Sequence, residues 1–111
     1  MMLQRLRLTQ TDWEKMRSHL DSCAPMEGCG LLAGLGNTVH QVFLIANQEQ
    51  SPSRFRMVAS EQLRAFQSME ERSMELLGIF HSHPADERAG PVGPSPTDVE
   101  EAAYPVVHVI W

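Results

Sequence analysis

Two cysteines, Cys23 and Cys29, are all that this chain of 111 residues contains. That excludes a disulfide-framed secreted scaffold, and without a C-x-x-C spacing it also excludes a four-ligand zinc finger. A reduced pair suits an intracellular protein; a single disulfide, or a redox-sensitive Cys29 thiol, stays open. Positive charge is also short, with 9 Lys and Arg against 14 Asp and Glu for a net −5. Such a chain lacks the basic patch that displaces counterions from a nucleic-acid backbone. No apolar run approaches the ~20 residues of a membrane span. Met1 to Leu8 carries two arginines but no apolar h-region of a signal peptide, so the expected location is the cytoplasm. Glu70, Glu71 and Glu75 fall in a helical pattern as a solvated face. What is left is an ordinary soluble composition, 42% apolar and 21% charged, in one domain spanning 1–111.

Strand and helix periods alternate along the chain. Leu3, Leu6 and Leu8 alternate with Arg5 and Arg7 as an opening strand. Thr9 with Asp12 three later is a helix-capping pattern. Trp13, Met16, Leu20 and Cys23 follow at helical spacing until Pro25. Cys29–Ala33 and Thr38–Ala46 read as a hairpin around Gly34-Leu35-Gly36-Asn37. Asn47–Arg54 is a polar loop and Phe55–Val58 a short strand. A second helix is predicted over Ser60–Met74, capped by Ser60, with Leu63, Phe66 and Met69 on one face. Leu76–His83 is a buried strand, Pro84–Pro94 a loop, Ser95–Ala103 a short helix and Tyr104–Trp111 an apolar strand. The expected class is α/β or α+β. The last strand stops on Trp111 with no polar tail, as if the domain were cut short.

The chemistry gathers in His81-Ser82-His83-Pro84 and, after a Gly/Pro-rich stretch, Ser95-Pro96-Thr97-Asp98. On a strand, alternate side chains share a face, so His81 and His83 point one way and Ser82 the other. Two imidazoles and a carboxylate suit zinc, and three protein ligands leave the open position of a catalytic site. Asp98 has a second reading, as the N3 residue of a helix capped by Ser95 with Pro96 at N1. His81, His83 and Glu87 also match the core spacing of a cupin metal site, but Pro84 breaks that strand and the helical periods do not suit an all-β barrel. A histidine-triad hydrolase would need histidine at position 85, which is Ala85. His40 and His108 sit on predicted strands and read as structural or exposed, and Met16, Met57, Met69 and Met74 as core packing.

Upstream, Pro25-Met26-Glu27-Gly28-Cys29-Gly30-Leu31-Leu32-Ala33-Gly34 sets a carboxylate before a glycine-flanked strand, where close backbone approach is allowed and Glu27 can serve as a general base. Together, Glu27, the H-S-H-P run and the P-S-P-T-D run resemble the JAMM motif of the MPN-type metalloproteases, in particular the small stand-alone prokaryotic members. The resemblance covers nearly the whole chain. It implies the MPN/JAMM (cytidine deaminase-like) fold, an α+β domain with one mixed, curved sheet flanked by two main helices and one short helix, here C-terminally truncated. It further implies His81, His83 and Asp98 as ligands of one zinc ion, Glu27 as general base and Ser95 as oxyanion donor, with Ser82 structural. The expected activity is hydrolysis of peptide or isopeptide bonds at the C-terminal tail of a ubiquitin-like or sulfur-carrier protein, with no nucleic acid or membrane involved. The best candidate edge for docking such a tail is Phe55–Val58. The alternative is a non-catalytic MPN-type scaffold or binding module, and a dimer is compatible with either. One departure stands out: fourteen residues, Pro84 to Thr97, separate His83 from Asp98. That is longer than the family's usual spacing and brings Asp86 and Glu87 toward the site.

Overall fold

Thr9 accepts a hydrogen bond from the Asp12 amide (3.0 Å), which starts helix α1 (Gln10–Cys23) where the capping pattern expects it. The computed structural model describes residues 6–83 and 107–110. Strand β1 (Cys29–Leu35) turns through Gly36, at φ +62, into β2 (Thr38–Ile45). Helix α2 (Ala59–Glu71), strand β3 (Glu75–His81) and strand β4 (Val107–Ile110) complete the described elements. The sheet runs β2-β1-β3-β4, with β1 antiparallel to both neighbours and β4 parallel to β3. This mixed four-stranded sheet with two helices is an α+β fold, as expected.

Strand β1 is central, so six of its seven residues are buried. Its two faces meet different helices. Met16 and Leu20 of α1 pack with Leu32, Val39, Val42, Leu77 and Phe80. On the other face Ala65 and Met69 of α2 pack with Cys29, Leu31, Ala33, Ile45 and Ile79, joined by Phe55 and Met57 from the segment before α2. Gly30 is required by this packing: a Cβ there would fall inside the Phe80 ring. The methionines at 16, 57 and 69 are core residues, as expected.

Several expectations are corrected. Phe55–Val58 is not a strand; it makes one isolated bridge, Asn47 to Met57, and both Phe55 and Met57 are buried. Helix α2 starts a residue earlier than read and is flanked by Val58, without a side-chain cap from Ser60; it stops at Arg72 because Ser73 adopts φ +56. Leu63 faces solvent at 58% exposure, and Ala65 takes the core position instead. Trp13 is likewise 43% exposed, although it shares a helix face with the buried Met16 and Leu20. Of the expected opening strand, Leu3 and Arg5 lie outside the described residues, and among those described Arg7 makes a parallel bridge to Thr38. Strand β3 ends at His81, two residues short of the expected end. The predicted loop over 84–94 and short helix over 95–103 lie outside the described residues.

Candidate metal centre

The register of the sheet builds the site. Cys29 of β1 pairs with His81 of β3, so the two strands end side by side while running in opposite directions. Continuing that antiparallel register sets Gly28 opposite Ser82 and Glu27 opposite His83. The first of these pairs is made by two hydrogen bonds: the Ser82 amide donates to the Gly28 carbonyl (3.1 Å) and the Gly28 amide to the Ser82 hydroxyl (3.0 Å). Period two then places Glu27, His81 and His83 on the face that carries Cys29 and α2. Gly28 stands on the other face, where a Cβ would press on Leu20 and Cys23 of α1. Ser82 therefore fastens the two strand ends together, its hydroxyl turned to the Gly28 amide.

All three side chains are buried. Nδ1 of His81 lies 3.6 Å from one Glu27 carboxylate oxygen, and Nδ1 of His83 lies 3.9 Å from the other. The two imidazoles stand edge to face, with ring centroids 4.8 Å apart. One ligand atom from each of Glu27, His81 and His83 falls within a common 4.8 Å. Neither Glu27 oxygen accepts a hydrogen bond from any described residue. A buried carboxylate in that condition is costly, by several kcal/mol per ion in practice, unless a cation or a mobile proton shares the site. Two imidazole nitrogens and an oxygen are a donor set that zinc accepts. The residues present thus fit a divalent metal beside a carboxylate that needs a charged or protonic partner.

Two residues of the site carried no motif signal. The Phe55 ring, fully buried, stacks on His81 at 4.6 Å and 26°. Asn47 donates to the Glu27 carbonyl (3.0 Å), and the Glu27 amide donates to the Ser51 carbonyl (2.7 Å). An isolated aromatic between two arginines and an asparagine opening a polar loop look like any loop residues until the chain folds back over β1. His19, also missed, has Nε2 3.0 Å from the Cys29 carbonyl and buttresses β1 from the α1 side. Neither Cys23 nor Cys29 is in a disulfide; Cys29 is buried, with its Sγ 3.5 Å from the Ile45 carbonyl and so turned into the core. His40 is exposed, as expected, and His108 lies on β4 opposite Ile79. Asp98, Ser95, Asp86 and Glu87 lie outside the described residues.

Comparison with known proteins shows the family. Residues 9–111 match the family of prokaryotic homologs of the JAB domain. Over 99 residues the chain is 38% identical to a Thermus thermophilus protein named a probable TtuB-protein conjugate cleaving protease, covering 88% of this chain and 64% of that one. It is 39% identical over 90 residues to the desampylase of Pyrococcus furiosus, covering 80% and 61%. With the CysO-cysteine peptidase of Mycobacterium tuberculosis the identity is 34%, covering 86% and 64%. The chain thus spans a little under two thirds of the length of these relatives. A solution structure of a protein from Desulfitobacterium hafniense superposes with a TM-score of 0.74 at 38% identity, covering 93% of this chain and 71% of that one.

Proposed function

The chain belongs to the family of prokaryotic JAB-domain proteins, and from that premise we propose that it is a zinc-dependent hydrolase of peptide or isopeptide bonds at the C-terminal tail of a ubiquitin-like or sulfur-carrier protein. The observation that carries this reading is the buried Glu27 carboxylate turned toward the two imidazoles of His81 and His83. The names of the relatives, a probable TtuB-protein conjugate cleaving protease and a CysO-cysteine peptidase, support the class of substrate.

His81 and His83, with Asp98, would hold the zinc ion. Bound there, zinc supplies a Lewis acid that polarises the scissile carbonyl and makes a water easier to deprotonate. Glu27 takes the proton from that water on a carboxylate oxygen and delivers it to the departing amine. Its burial keeps bulk water from competing for the proton, and its fixed backbone keeps the carboxylate beside the reacting atoms. The hydroxyl of Ser95 donates to the developing oxyanion, a contribution of about 3–4 kcal/mol for a well-placed donor.

Elemental analysis together with a Gly-Gly-extended substrate tests the reading. Glu27→Gln should keep zinc and lose about 10²–10⁴ in turnover, the usual span of general acid–base catalysis. His81→Ala and Asp98→Ala should lose the metal as well. A protein that binds no zinc at neutral pH and cleaves no such tail would be a scaffold instead, and full activity in Glu27→Gln would remove Glu27 from its role.

A further inference from the structure

We infer that the segment 46–58, between β2 and α2, is the positioning element of this centre, with Asn47 holding Glu27 and Phe55 holding His81. The inference rests on the hydrolytic reading of the same site.

Glu27 lies one residue beyond the last described link between the two strand ends, the Gly28–Ser82 pair, and its own amide and carbonyl bond to segment 46–58. The Glu27 amide donates to the Ser51 carbonyl, and the Glu27 carbonyl accepts from Asn47 Nδ2. Asn47 uses its whole hydrogen-bonding capacity in the process. Nδ2 also donates to the Arg54 carbonyl (2.9 Å), and Oδ1 accepts from the amides of Glu49 (3.0 Å) and Arg56 (2.9 Å). Two donors meet two carbonyls and one oxygen meets two amides, so only this orientation of the side-chain amide satisfies all four. The same turn that Asn47 closes carries Phe55 onto the face of His81. One segment thereby sets both the carboxylate that moves protons and an imidazole offered to the metal. Such a base has to sit within ~0.5 Å of its productive place, and a misplacement of ~1 Å costs on the order of 100-fold in rate.

Asn47→Asp separates positioning from loop closure. The aspartate keeps an acceptor for the Glu49 and Arg56 amides but loses both donors and sets an oxygen against the Glu27 carbonyl. Amide hydrogen exchange should rise at Glu27 by ~10-fold or more while Leu31 in the core of β1 is unchanged, as expected for a local opening. Turnover on a Gly-Gly-extended substrate should fall ~10–100-fold, with KM and zinc affinity by chelator competition held within about twofold. Phe55→Leu should do the opposite: Glu27 exchange stays at the wild-type rate and zinc affinity falls ~10–100-fold. Wild-type Glu27 exchange in Asn47→Asp overturns the inference. So does loss of zinc and activity in both variants merely in proportion to the folded fraction. Should Asn47→Asp not fold, Phe55→Leu decides alone, and wild-type zinc affinity there is the overturning result. Exchange and chelator competition need no substrate, so a wild type that binds zinc but hydrolyses nothing removes the hydrolytic reading while both measurements still judge the positioning.

Discussion

Glu27 illustrates how a single residue's burial becomes chemistry. Both of its oxygens face imidazoles, at 3.6 and 3.9 Å, too far for hydrogen bonds and near enough for a shared ion or proton to lie between them. The same economy of space governs Gly30, whose missing side chain is the seat of the Phe80 ring. Gly30→Ala should overpack that contact and destabilise the fold by about 1–3 kcal/mol, read as a lower urea midpoint at unchanged m-value. An equally stable Gly30→Ala protein would mean that Phe80 has room to shift. At this scale the gathering candidates Glu27, His81 and His83 were legible in the sequence, because residues able to bind a metal or move a proton come from few types. Phe55 and Asn47 were not legible, because stacking and loop closure use residues that are common everywhere.

At the scale of elements, α1 was legible to its cap. Thr9 accepts from the Asp12 amide, and Met16 and Leu20 face the sheet as their spacing requires. Thr9→Ala should cost about 1 kcal/mol of stability with no effect on zinc binding, measured by chemical denaturation beside metal content. A loss of metal in that variant would tie the N-terminus of α1 to the site, which lies near its other end. Helix α2 was less legible. Its apolar residues fit two neighbouring faces, and packing against Leu31 and Ile79 selected Ala65 and Met69 over Leu63. The segment read as strand Phe55–Val58 has the alternation of one, but without a continuous partner it stays irregular and sends Phe55 and Met57 into the core. Periodicity reports which residues prefer burial; it does not report which neighbour is there to bury them.

For the whole molecule, the centre sits where two antiparallel strand ends meet beside segment 46–58, so a metal held there as proposed would bind the folded chain and stabilise it. Zinc at a free concentration of 100 times its dissociation constant should stabilise the protein by about 2.7 kcal/mol, equivalent to ~10–20 °C in Tm for a chain of this size. Removing zinc with a chelator and following the melt by calorimetry checks this; a Tm indifferent to chelation would mean that no metal is held in the folded state. The sequence by itself determined the α+β alternation, the hairpin around Gly36, the capped first helix and the shared face of His81 and His83. Each of these follows from local backbone geometry or from a period of two or 3.6 residues. Only the tertiary structure decided that Glu27 meets those histidines. Gly28 and Ser82, joined by two hydrogen bonds, are 54 positions apart, and no local rule spans that distance. The register Cys29 to His81 does, because antiparallel strands fix every later pairing once one is made, and it brings the carboxylate and imidazoles to one buried strand end.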